Sequence, residues 1–178
     1  METPDGQDHD ETEGRTLSEL TARHKTAALL VSLAVCFAAA AAASPVTRSA
    51  TASWYHEIRR PSWTPPDRVF APVWTALYAM MAVAAWTVYC RGGFRTQRLG
   101  LTLFITQLVL NAAWSFIFFG LRLFGVALVE LVLLWCAILA TMLVFWRRST
   151  LAGWLMLPYL VWVTYASTLN FAIWWLNR

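Results

Sequence analysis

Five long apolar runs organise the chain, at about residues 26 to 46, 69 to 90, 99 to 121, 123 to 146 and 151 to 176, and a single acid, Glu130, interrupts them. At a rise of about 1.5 Å per residue, a helix of this length crosses a hydrocarbon core of roughly 30 Å. Inside that core a helix satisfies all its backbone polar groups within one segment. The pattern therefore predicts an all-α integral membrane protein, a bundle of five transmembrane helices. Five spans put the two termini on opposite sides.

The stretches between the runs differ in kind. Residues 1 to 25 are polar and acidic, with too little apolar content to offset the entropy of ordering, and are expected to form a disordered tail. The first run ends Ala41-Ala42-Ala43-Ser44, similar to a signal-peptidase site, yet a signal peptide starts with a short basic region rather than an acidic one. A retained first helix is the expectation. The longest connection, 47 to 68, holds Trp54, Tyr55, Pro61, Trp63, Pro65 and Pro66, a composition unlike a solvated linker. It is expected to pack on the bundle as a lid. The remaining connections are tight: residues 91 to 98, essentially Arg122 alone, and 147 to 150. Short turns make consecutive helices antiparallel neighbours. No internal repeat is visible, which counts against transporters built from duplicated halves.

Composition agrees with the pattern: 58% apolar residues, 13% charged, and a mean hydropathy of +0.51. The net charge of +4 divides into two opposite parts, since residues 1 to 25 hold seven acids against three bases and the remainder holds eleven bases against three acids. Nucleic acid as a partner is excluded, because phosphate neutralisation needs clustered bases on an accessible face. Eight bases fall on the amino-terminal side of the bundle and six on the other, which places the amino terminus in the cytoplasm by the positive-inside rule. Cys36, Cys90 and Cys136 lie in separate apolar stretches and read as small packing residues rather than a disulfide or metal set.

Chemistry within the spans is sparse. Gln107, Asn111 and Ser115 recur at four-residue spacing in the third run with Trp114 beside them, so one helical face carries its polarity and should look inward. Such a face serves interhelical hydrogen bonding, ligand contact, or both. Glu130, an acid deep in a span, is a functional candidate by position, though a carboxyl bonded to a neighbouring helix is the plainer reading. The second run aligns Phe70, Trp74, Tyr78 and Met81, and the fifth aligns Tyr159, Trp162, Ala166, Leu169 and Ile173. Trp74, Trp114 and Trp162 sit too far inside their helices to be interfacial belt residues. They either fill the core or line an aromatic, weakly polar cavity without charged anchors, which suits a large flat apolar ligand. His9, His24 and His56 all lie outside the spans, so bis-histidine haem ligation is unavailable. No hydrolase triad, paired carboxylates, zinc spacing or phosphate loop occurs.

The run Trp54-Tyr55-His56-Glu57-Ile58-Arg59-Arg60-Pro61-Ser62-Trp63-Thr64-Pro65-Pro66, followed by Phe70-Ala71-Pro72-Val73-Trp74-Thr75-Ala76-Leu77-Tyr78, resembles the signature of the TspO/MBR family, the tryptophan-rich sensory and translocator proteins. Gln107 to Trp114, Phe118-Phe119-Gly120, Ala127 to Glu130, and Pro158 to Asn170 agree in order and spacing. The resemblance covers about residues 26 to 178. It implies a homodimeric bundle in the bilayer whose interior pocket binds protoporphyrin IX or a similar apolar small molecule, with porphyrin as ligand and no cofactor required. It also implies a pocket lined by Phe70, Ala71, Val73, Trp74 and Tyr78 from the second helix, Asn111 and Trp114 from the third, and Trp162, Ala166 and Leu169 from the fifth. Transport, sensing or tetrapyrrole regulation are the roles such a pocket serves; the alternative is light- and oxygen-dependent porphyrin breakdown, with Trp74 and Trp162 as the catalytic candidates. No conventional enzyme chemistry is expected.

Several positions depart from the family pattern. The sterol motif of animal members has Phe171 where a tyrosine is needed and Trp175 where a base is needed, which argues against cholesterol. Arg68 and Val126 stand where animal members carry tryptophan. Thr102 and Thr106 occupy the small-residue positions associated with helix association. A lysine-to-arginine usage of one to thirteen and an alanine-rich first helix point to a bacterial cell membrane.

Overall fold

The computed structural model describes the backbone of residues 5–178 and side chains from Thr21 onward. The expected disordered tail, residues 1 to 25, therefore lies largely outside the described side chains. The elements are α1 (Asp5–Ala52), α2 (Asp67–Tyr89), a single turn α3 (Gly93–Thr96), α4 (Arg98–Ser115) continued by a π turn (Phe116–Gly120), α5 (Phe124–Arg148) and α6 (Thr150–Leu176). Among the described residues there is no strand, and five helices are long and apolar enough to span a bilayer. The chain is an all-α integral membrane protein.

Helix α1 continues through Ala52, beyond its expected end at residue 46, so the connection to α2 is shorter than the expected 47 to 68. The reason is local. Thr47, Thr51 and Ser53 donate their hydroxyls to the carbonyls of Ala43, Thr47 and Ser49, one turn back, at 3.2, 3.0 and 2.7 Å. Their polarity is thereby absorbed by the helix itself. At the other sharp corner, Arg122 adopts φ 57 between the π turn and α5, and its guanidinium lies 4.7 Å from the centroid of the Trp54 ring. A left-handed residue is costly without a partner, and this cation–π contact supplies one.

Helix α6 packs most extensively against α5, which in turn packs on α4, while α2 sits between α1 and α6. The main core joins Met81, Leu108, Leu134, Phe145, Met156 and Tyr159 from four helices. A second cluster at the lid end joins Trp54 and Tyr55 to Phe118, Ala127 and Ile173. Close approach of α5 and α6 depends on Gly153, where an added Cβ would lie 2.5 Å from carbons of the Trp146 ring. Val109, Val129, Leu133, Leu151 and Val161 are exposed, as bilayer-facing residues of a bundle should be. Cys36 is a buried packing residue; Cys90 and Cys136 are exposed and do not share that role.

Candidate functional site

The periodic placement of aromatics on α2 and α6 brings two aromatic faces together. Phe70 meets Trp162 edge-on with ring centroids 5.9 Å apart, and Trp74 lies 5.6 Å from Tyr78 and 6.1 Å, edge-on, from Tyr159. Edge-to-face rings bring positive rims to negative faces, so these contacts add to the area they bury. Phe70, Trp74 and Trp162 are half-buried, whereas Tyr78 and Tyr159 are fully buried. The pair thus forms the floor and the others the walls.

A polar chain crosses the floor. The Tyr78 hydroxyl donates to Asn111 Oδ1 at 2.6 Å, and Asn111 Nδ2 donates to the Tyr159 hydroxyl at 3.1 Å, joining α2, α4 and α6. The inward polar face of α4 is accordingly a hydrogen-bonding face at Asn111. Gln107, one turn away, is wholly buried; its amide donates only to Met81 Sδ at 3.8 Å and its carbonyl oxygen has no partner. Glu130 is also buried, and neither carboxyl oxygen has a hydrogen-bond partner. Groups in this condition are costly in a low-dielectric interior.

The remaining expected residues divide. Trp114 points its indole N–H toward the other end of α6, to Asn170 Oδ1 at 3.1 Å, while Asn170 donates to the Phe124 carbonyl at 2.8 Å. Its ring stacks on Phe118 at 5.0 Å, so Trp114 bridges the main core and the lid-end cluster. Val73 packs on the main core and Leu169 is buried, Ala166 is half-buried, and Ala71 is exposed. Tyr159, one turn before Trp162 on the same stripe, joins these residues through the Trp74 ring and Asn111, although the resemblance does not place it in the pocket.

The lid, residues 53 to 66, is fastened to α6 and to the residue that caps its C-terminus. Tyr165 donates its hydroxyl to the Trp63 carbonyl at 2.8 Å. Asn177 accepts from the Arg59 backbone N–H at 3.1 Å and donates to the Arg59 carbonyl at 2.9 Å, the pattern of a strand partner made by one side chain. Two concavities adjoin it. One, about 600 Å³, is walled by His56, Arg60, Thr64, Asp67 and the lid prolines. The other, about 770 Å³ and almost wholly apolar, lies between Trp63 and the outer face of α6 at Phe171 and Trp175. Burial of Tyr55 pushes its hydroxyl pKa up, an effect the neighbouring Arg60 partly offsets. No cluster of metal-ligating side chains occurs among the described residues.

Residues 32–176 match the model of the TspO/MBR family. The chain is 44% identical over 151 residues to the tryptophan-rich protein TspO of Chlorobaculum tepidum, covering 84% of this chain and 95% of that one. It is 38% identical to the protein CrtK of Rhodobacter capsulatus, over 70% of this chain and 79% of the relative. To the human translocator protein it is 42% identical, over 68% and 73%. A match of this extent, on a bundle of five helices long and apolar enough to span a bilayer, assigns the family: the chain belongs to the TspO/MBR family.

Proposed function

We propose that this membrane protein binds a flat apolar tetrapyrrole, protoporphyrin IX or a close analogue, between α2 and α6. The observation that carries the reading is the meeting of Phe70 and Trp74 with Trp162 above the buried Tyr78–Asn111–Tyr159 chain. Aromatic walls hold a conjugated macrocycle by stacking and dispersion, which need area rather than charge. The polar chain gives the floor a fixed depth, since its hydroxyl and amide groups are already committed to one another. Entry requires the Phe70–Trp162 edge contact to part, and the lid fastened through Trp63 and Asn177 governs access. Binding of this kind serves transport, sensing or tetrapyrrole regulation. The bacterial cell membrane, an amino terminus in the cytoplasm, and a homodimer using the exposed Thr102 and Thr106 on α4 complete the proposal.

A second reading is favoured by the position of Trp74, whose ring lies within reach of two tyrosines. In it the bound porphyrin, excited in the presence of oxygen, supplies the reactivity and the protein its orientation. One titration distinguishes the two. Purified protein in detergent is titrated with protoporphyrin IX in the dark, following tryptophan quenching, and porphyrin absorbance is then followed under light. Saturable quenching, weakened several-fold in Trp74→Phe or Trp162→Phe, is expected for the binding reading. A protein-dependent spectral product under light, reduced in either variant, moves the assignment to the second, and the absence of saturable quenching overturns both.

A further inference from the structure

Helix α6 has two distinct faces. Trp162, Ala166 and Leu169 belong to its inner stripe, and with about 3.6 residues per turn Thr164, Thr168, Phe171 and Trp175 fall on the opposite side. This outer side bounds the apolar groove of about 770 Å³, whose far wall is Trp63 of the lid. Three hydroxyls line the groove, yet none is free to bond a ligand. Thr164, Ser167 and Thr168 donate to the carbonyls of Leu160, Val163 and Tyr165 at 2.8, 2.8 and 2.7 Å. Hydroxyls turned back onto their own helix leave an apolar surface. Trp63, Phe171 and Trp175 are each about half exposed, and the Tyr165 hydroxyl holds the Trp63 backbone over the groove. On the bilayer side of a span such a groove suits an acyl chain, which needs apolar area and makes no hydrogen bond.

One end of the groove is charged. The Arg178 guanidinium lies 3.2 Å from the centroid of the Trp175 ring, which lines the groove. Asn177 brings Arg59 to the same end through its two bonds to the Arg59 backbone. Both arginines are exposed, and the salt bridge among the described residues, His56–Asp67, involves neither. Glu57 is exposed two residues before Arg59 and weakens the local positive charge without cancelling it. An apolar groove that ends at two bases matches a molecule with an apolar chain and an anionic head. We propose that this face of α6 holds one anionic phospholipid, its acyl chain between Trp63 and Phe171 and its phosphate at Arg59 and Arg178. A sterol is the poorer match, since it offers one neutral hydroxyl to the two cations. The groove and the aromatic walls lie on opposite faces of α6, so the lipid site is independent of the tetrapyrrole-binding reading.

The test is native mass spectrometry of the full chain in detergent, titrated with phosphatidylglycerol or with phosphatidylcholine of identical acyl chains. The native protein should retain one phosphatidylglycerol, with an affinity about tenfold above that for phosphatidylcholine, as two bases beside one net negative charge allow. The double variant Arg59→Gln, Arg178→Gln should bind both lipids alike, at the phosphatidylcholine level. Thr168→Trp and Ala172→Phe, which fill the groove from its α6 wall, should each lose retention of either lipid. Unchanged helical circular dichroism and unfolding midpoint show that the variants are folded. Cholesterol at equal concentration should leave the phosphatidylglycerol in place. A preference that survives the double arginine variant overturns the headgroup contact, and undiminished retention by the folded filled-groove variants overturns the chain site. Displacement by cholesterol overturns the phospholipid as occupant. Each of these results leaves porphyrin binding untouched.

Discussion

Asn111 Nδ2 of α4 donates to the Tyr159 hydroxyl of α6 at 3.1 Å, so the third span is tied to the last beneath the aromatic walls. Since Asn111 also accepts from Tyr78, this one side chain holds three helices at a common level. Asn111→Leu should therefore cost about 1 to 3 kcal/mol, because it leaves two buried tyrosine hydroxyls without their partner. Tyr78→Phe removes a single contact and should cost nearer ~0.6 kcal/mol. Unfolding in mixed detergent, monitored by circular dichroism, gives the order; equal costs would contradict the shared role of Asn111.

The lid should loosen without the bundle noticing. Asn177→Ala removes both bonds to the Arg59 backbone, and Tyr165→Phe removes the bond to the Trp63 carbonyl. Neither group is part of the helix core. Limited proteolysis should cut residues 53 to 66 several-fold faster in the double variant, with the unfolding midpoint of the bundle nearly unchanged, because local opening draws on local contacts. Cleavage rates equal to those of the native chain would show that lid packing rests on its prolines and aromatics alone.

The α5–α6 contact predicts a specific intolerance. A Cβ at position 153 would meet Trp146 ring carbons at 2.5 Å, far inside van der Waals contact. Trp146 is itself packed on Trp154 at 4.9 Å, which limits where it can go. Gly153→Ala should destabilise by about 1 to 3 kcal/mol. Combining it with Trp146→Leu should recover part of that loss, a coupling that a thermal double-mutant cycle measures directly.

Glu130 makes the opposite prediction. With both carboxyl oxygens buried and unbonded, replacing the group by a shape-matched apolar residue removes a desolvation penalty and no hydrogen bond. Glu130→Leu should be as stable as the native protein or more so, by up to about 1 to 4 kcal/mol. A clear loss of stability would reveal a partner for this carboxyl, and a loss of porphyrin binding at full stability would place Glu130 in the site.

The spans, their number and their inward faces were legible in the chain because each rests on periodicity alone. Apolar runs of bilayer length force helices, and the spacing of Gln107 and Asn111, or of Tyr159, Leu169 and Ile173, lays residues on one face whatever surrounds them; all five are buried. The end of the first helix was not legible. Nothing in the residues Thr47 to Ser53 announces that their hydroxyls close onto the preceding turn rather than onto solvent.

By itself, then, the sequence determined a five-span membrane bundle, its family signature and two aromatic stripes. Tertiary structure alone decided which stripe residues meet, because packing depends on helix rotation and on the neighbours that each rotation selects. It turned the Trp114 indole to Asn170, exposed Cys90 and Cys136, and buried Tyr159 completely. It also placed Arg60 between Tyr55 and His56, an arrangement of loop side chains that no periodicity encodes.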